Sequence, residues 1–210
     1  MDNQIIAEAL LKIGAVFLRP EEPFTWTSGI KSPIYCDNRL ILTAPEYRKI
    51  VEEKIAETIK TEFPEAEVLM GTATAGIPHA AIAGHILGLP MGYVRSGSKD
   101  HGRQKKIEGS LKKGQKVVVV EDLISTGGSA LDVVESLREA GAEVIGLVAI
   151  FNYKMKKGID NLNNNNVKFV NLMDFDTLIA YAAENGYIKA EDVERCKKFR
   201  DNPSDESWMV

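Results

Sequence analysis

At 210 residues the chain is long enough to bury a substantial core but short for two independent domains, so one domain with a small appendage is expected. Its 44% hydrophobic and 27% charged residues exclude a disordered or fibrous protein. The formal charge of -4, from 26 basic and 30 acidic residues, excludes a global basic field for nucleic acid, so any phosphate recognition must rest on a local cluster.

Ile5, Ile6, Ala9, Leu10 and Ile13 recur at helical spacing and Gly14 offers a stop, which predicts an opening amphipathic helix. Asp2 and Glu8 flank its short apolar stretches, unlike the basic-then-apolar order of a secretory leader. No apolar run is long enough to cross a bilayer, so a cytoplasmic protein with no membrane partner is expected. Cys36 and Cys196 stand far apart without CxxC or Cys/His metal spacing and read as unpaired thiols in a reducing cytosol. Residues 15–40 change to short β-prone pieces (AVFL, FTW, PIYCD) broken by Pro20, Pro23, Gly29 and Pro33, the pattern of a strand-rich flap. Thr43 is placed to cap a helix entered at Pro45, with Tyr47, Ile50, Val51, Ile55 and Ile59 on its apolar stripe.

Beyond Pro64 strand and helix alternate: EVLMG, a helix over about residues 77–87, MGYV, a polar loop, KVVVVED, a helix over about residues 129–140, then AEVIGLVAIF. Such alternation predicts a parallel sheet covered on both faces, and the unbroken apolar run at residues 117–120 fits a strand buried on both sides. Residues 161–166 read as an Asn-rich loop without a function, and two helices near 176–184 and 191–200 follow, with no internal repeat.

The strongest chemical signal is VVVVEDLISTGGSA at residues 117–130: a buried strand, two carboxylates at its end, a hydroxyl- and glycine-rich turn, and a helix. In an open parallel sheet, ligands bind at the carboxyl ends of strands. Ser125, Thr126, Gly127, Gly128 and Ser129 would offer amides and hydroxyls to a phosphate monoester at a helix start. Glu121 and Asp122, directly before, would accept hydrogen bonds from a sugar diol, so the motif as a whole suits ribose 5-phosphate. Neither GTATAGIP nor GSLKKGQ carries Lys-Ser/Thr after its second glycine and no GxGxxG occurs, which removes Walker-type hydrolysis and Rossmann dinucleotide binding.

This motif resembles the signature of the type I phosphoribosyltransferases. The resemblance implies an α/β fold with a Rossmann-like, open, mostly parallel sheet flanked by helices, and a small N-terminal strand-rich hood. The expected boundaries are residues 1–42 for the opening helix and hood and 43–210 for the core with its C-terminal helices, a single domain overall. It further implies that Glu121 and Asp122 bind the ribose hydroxyls of phosphoribosyl pyrophosphate (PRPP), that the backbone from Leu123 and Ile124 through Ser125 forms part of the same site, that Thr126, Gly127, Gly128 and Ser129 hold the 5-phosphate, and that Mg2+ rides on the pyrophosphate with no direct protein ligand.

A polar stretch between two predicted strands contains Arg95 and the run Lys99-Asp-His101-Gly, whose length and glycines predict a loop and whose cations suit a departing pyrophosphate. It is similar to the catalytic loop of orotate phosphoribosyltransferases, which implies that Arg95, Lys99 and His101 reach PRPP from the partner chain of a homodimer with shared active sites. Catalysis is then expected from Lys99, His101 and Asp122. The segment FTWTSGIKSPIYCDNR, residues 24–39, resembles the base-binding flap of the same enzymes, with Tyr35 the expected aromatic neighbour of orotate and Ser125 its hydroxyl contact. The segment at residues 71–78 stands where the family has its pyrophosphate loop, so Thr72, Ala73 and Thr74 are expected there, with a non-proline cis bond near Ala73–Thr74. Departures from some relatives are Thr27 and Ser96 where lysines stand, and Tyr153 near a family arginine. His79 and His85 on the following helix read as partly buried or surface residues, and Lys105, Lys106, Lys112 and Lys113 as solvated charges.

The expected reaction is therefore formation of orotidine 5'-monophosphate and pyrophosphate from orotate and PRPP in pyrimidine biosynthesis. The rivals are a phosphoribosyltransferase for a purine or uracil and a non-catalytic PRPP-sensing regulator of the same fold. The second is disfavoured by the acidic charge and by the absence of a helix-turn-helix extension.

Overall fold

The computed structural model describes residues 2–95 and 106–210. Helix α1 (Asp2–Lys12) leads into four short strands, β1 (Val16–Leu18), β2 (Phe24–Thr25), β3 (Lys31–Ser32) and β4 (Ile34–Cys36), paired antiparallel as β1 with β4 and β2 with β3. A 3-10 turn at Asn38–Thr43 precedes α2 (Pro45–Glu62). The alternating part runs β5 (Val68–Thr72), α3 (Gly76–Leu87), β6 (Met91–Val94), β7 (Ile107–Glu108), β8 (Lys116–Ile124), α4 (Gly128–Glu139), β9 (Glu143–Asn152), α5 (Lys156–Asn164) and β10 (Phe169–Asp174). Helices α6 (Phe175–Glu184) and α7 (Asp192–Asp201) follow, with a last 3-10 turn at Glu206–Met209.

The main sheet has the order β10-β9-β8-β5-β6-β7, with every pairing parallel except β6 to the edge strand β7. The valine run explains how β8 lies in the middle. Side chains alternate between faces along a strand, so Val118 and Val120 enter one hydrophobic cluster, with Leu69, Val148 and residues of α1 and α2, while Val117 and Val119 enter the other, with Val134, Leu137 and Leu162. All four are fully buried. Val16 and Ile34 of the hood strands belong to the first of these clusters, which fixes the hood to the body by shared core. From β5 the chain turns one way to β6 and the other way to β8, so the carboxyl ends of β5 and β8 flank a topological switch point. Among the described residues no helix is long and apolar enough to cross a membrane.

Three local expectations are corrected. Thr43 does not cap α2: Ala44 holds the cap position with no side-chain bond, and the Thr43 hydroxyl donates to the Leu40 carbonyl at 3.0 Å. The Asn-rich segment is not all loop, because α5 runs to Asn164 with Leu162 on its buried face. His79 is neither partly buried nor at the surface: it is fully buried and its Nδ1 lies 2.6 Å from Glu52 Oε1, which joins α3 to α2.

Candidate active site

The turn after β8 is shaped by glycine. Gly127, at the cap position of α4, has φ of +74°, a left-handed conformation that side chains disfavour, and α4 begins with no side-chain cap bond. Its first amides are thus left for a ligand. At the neighbouring strand end, a Cβ on Gly76 would run into the Val120 carbonyl and the Thr72 hydroxyl, so only glycine lets α3 start this close to β8.

The acidic pair occupies two environments because successive residues of a strand face opposite ways. Glu121 is only 4% exposed. Its Oε1 accepts from the Thr72 hydroxyl at 2.6 Å and from the Asp122 amide at 3.0 Å, and its Oε2 from Ser129 Oγ at 3.4 Å. Burial pushes the Glu121 carboxyl up to about 8; the neighbouring Asp122 carboxyl acts the same way, while the Thr72 bond opposes it. Near neutral pH it is therefore mostly protonated. Asp122 is half-buried and turns to the hood side, where its charge adds to the burial that holds the Cys36 thiol well above the usual thiol range. Asn38, buried at the start of the 3-10 turn, donates from Nδ2 to the Asp122 carbonyl at 2.6 Å and accepts from Cys36 Sγ at 3.3 Å. Sequence reading missed Asn38, since its partner lies 84 residues away.

Two cavities open on either side of the turn. One, of about 90 Å³, is lined by Thr72, Ala73, Arg95, Lys106, Ser129 and Asp132, so the expected pyrophosphate loop, Arg95 and the end of the turn after β8 are brought together. The Ala73–Thr74 peptide is cis, where it was expected. Arg95 pairs through Nε with Glu108 Oε1 at 2.9 Å. Lys99 and His101 lie outside the described residues.

The other cavity, of about 700 Å³, lies over the carboxyl end of β9 and is lined by Trp26 and Ile30 of the hood, Ser125 and Thr126 of the turn, Met155, Lys156 and Arg200, among others. Trp26 is fixed by edge-on contacts to Tyr153 and Phe199 at centroid distances of 5.6 and 5.7 Å. Tyr35, the aromatic expected beside the base, is 42% exposed, packs on Phe24 at 5.8 Å and does not line this cavity with Ser125. Trp26 does. Leu123 and Ile124 offer a ligand their backbone only, since Ile124 is buried in the second hydrophobic cluster and Leu123 packs on the first. Among the described residues no group of three His, Cys, Asp or Glu side chains could hold a metal ion.

The phosphoribosyl transferase domain model matches residues 39–175. The chain is 56% identical over 203 residues to an orotate phosphoribosyltransferase of Listeria monocytogenes serotype 4b, covering 97% of this chain and 96% of that one. Among solved structures, it resembles an orotate phosphoribosyltransferase from Aeropyrum pernix with a TM-score of 0.76 at 30% identity, over 87% of this chain and 99% of that one. It resembles Leishmania donovani UMP synthase with a TM-score of 0.81 at 27% identity, over 95% of this chain and 42% of that longer one.

Proposed function

The chain belongs to the phosphoribosyl transferase domain family, and from that premise we propose that it transfers the 5-phosphoribosyl group of PRPP to orotate, giving orotidine 5'-monophosphate and pyrophosphate in pyrimidine biosynthesis. The observation that carries this reading is the buried Glu121 and half-buried Asp122 standing directly before an amide-lined turn, at the switch point and between two cavities. A sugar monophosphate on Thr126, Gly127, Gly128 and Ser129 would set its 2- and 3-hydroxyls against Glu121 and Asp122. Its C1 substituents would then point one to each cavity.

The pyrophosphate would lie over Thr72, Ala73 and Thr74 towards Arg95, and the flat base between Trp26 and Ser125. Lys156, Lys157 and Arg200 line the base cavity and would be the cations available to an orotate carboxylate; Arg200 already pairs with Asp176, and Lys156 with Asp160. Bound magnesium would neutralise part of the pyrophosphate charge, and Asp122 would face it. Orotate N1 bonds to C1 and gives up its proton, which the departing pyrophosphate can take, while the bond from C1 to the pyrophosphate oxygen breaks, so the protein's work is to align the two and to stabilise the separating charges. Lys99 and His101 would supply cationic stabilisation from the partner chain of a homodimer.

Mixing the protein with PRPP, magnesium and orotate should bleach the orotate absorbance and release pyrophosphate stoichiometrically. Uracil, hypoxanthine and adenine in place of orotate should give less than about 1% of that rate, because none of them carries the carboxylate that the cations of this cavity would bind. Equal turnover of a purine would overturn the assignment of the base.

A further inference from the structure

We propose that Asn161 is a positioning residue for the phosphate turn: its side-chain amide holds the Thr126 carbonyl on α5 and thereby aims the following backbone amide at the substrate's 5-phosphate. The proposal rests on the reading of the turn given under Proposed function.

The turn lies on α5 over three consecutive residues. Asn161 Nδ2 donates to Thr126 O at 2.9 Å. One turn earlier on the same helix, Gly158 packs so closely beneath the turn that any Cβ there would collide with the Ser125 carbonyl oxygen. Leu162 borders Gly127, where an added Cβ would stand 3.5 Å from Leu162 Cγ. A trans peptide is planar, so the C=O of one residue and the N–H of the next point in opposite directions. Among the described residues the cis bond is Ala73–Thr74, away from this turn. With the Ser125 and Thr126 carbonyls both directed at α5, the Thr126 and Gly127 amides are directed away from it, towards the mouth of the turn. Among the described residues neither amide donates to another backbone group. Two adjacent amides on one side, the second from a residue at φ +74°, make a concave donor pair suited to an oxyanion.

Only a donor can serve at position 161. A side chain without one would release the Thr126 peptide to rotate, and a carboxylate would repel the carbonyl it faces. Arg138 fixes the far end of the same helix by donating to Asn165 O and Asn166 O at 2.8 and 3.1 Å, so α5 is a firm support and loss of the Asn161 bond should act locally.

The test compares ribose 5-phosphate with magnesium pyrophosphate, each bound to wild-type, Asn161→Ala and Asn161→Asp protein in a calorimeter. Asn161→Ala should weaken ribose 5-phosphate about five-fold, as for one hydrogen bond, and Asn161→Asp further still, with pyrophosphate affinity and melting temperature nearly unchanged. Restoring a donor with Asn161→Gln should recover part of the loss. Unaltered ribose 5-phosphate binding in both substituted proteins would overturn the proposal, and so would an equal loss of both ligands, which marks a merely structural role. A wild-type protein that fails to bind ribose 5-phosphate at all would instead overturn the reading of the turn, and this proposal with it.

Discussion

Glu121 is the residue whose environment departs furthest from what its sequence position implies. A carboxylate at the end of a strand suggests a solvated acid, yet this one is enclosed by Thr72, Ser129 and the Asp122 amide, and burial raises it from an ordinary 4.5 to about 8. The folded protein therefore holds its proton more tightly than the unfolded chain does between those two values. Stability from this group is fully present below pH 4.5 and is lost as pH rises through about 8. The ligand-free protein should show a melting temperature that falls between pH 5 and 8, and Glu121→Gln, which keeps the shape without the titration, should flatten that fall in a calorimeter. A ribose diol donating to the carboxyl would favour its ionised form, so PRPP binding near pH 7 should release a proton. Binding heats of the wild-type protein should then depend on the buffer's ionisation enthalpy, and those of Glu121→Gln should not. The acid itself could be read from its place after four valines. Its protonation could not, because Thr72 is brought beside it across 49 residues.

At the scale of elements, legibility follows how local the determining contacts are. Strand β8 and the turn after it declare themselves, since an apolar run, two acids and a glycine turn are contiguous. Helix α5 does not. Asparagine is a weak helix former, and Ile159 and Leu162 alone cannot mark an amphipathic stripe. What holds α5 is Leu162 in the second hydrophobic cluster, the close packing of Gly158 on the Ser125 carbonyl and Arg138 at its far end, contacts whose partners all lie outside the helix. The start of α3, which follows the cis peptide loop, depends likewise on α2: buried His79 and Glu52 meet at 2.6 Å, and among the described residues Glu52 Oε2 and His79 Nε2 have no hydrogen-bond partner. Removing one member strands the other in the core. His79→Leu should cost about 3 kcal/mol in denaturant unfolding, while the double variant with Glu52→Met should recover most of it, since two apolar side chains leave no unpaired polar group. A double variant as unstable as the single one would mean that the cost lies in packing, not in the pair.

For the whole molecule, the sheet order puts the described features of the site at the carboxyl end of the central strands: the β5 and β8 ends at the switch point, the hood beside them, and the two cavities on either side of the turn. The alternation of strands and helices announced that sheet, but not the antiparallel edge strand β7, which is two residues long, nor β10, whose FVNLMD interrupts its apolar run with a polar residue. In the proposed homodimer, Lys99 of one chain would complete the site of the other. If Lys99 serves the site of a partner, a chain lacking Lys99 still offers a complete turn and acidic pair, and a chain lacking Asp122 still offers a complete loop. Lys99→Ala and Asp122→Ala proteins should each be nearly inactive alone. Unfolded together and refolded as a random mixture, half the dimers are mixed and each mixed dimer has one intact site of two, so activity should return to about a quarter of the wild-type value. Recovery at that level requires the loop to act across the dimer, whereas a mixture as inactive as its parents would place Lys99 and Asp122 in the same chain's site.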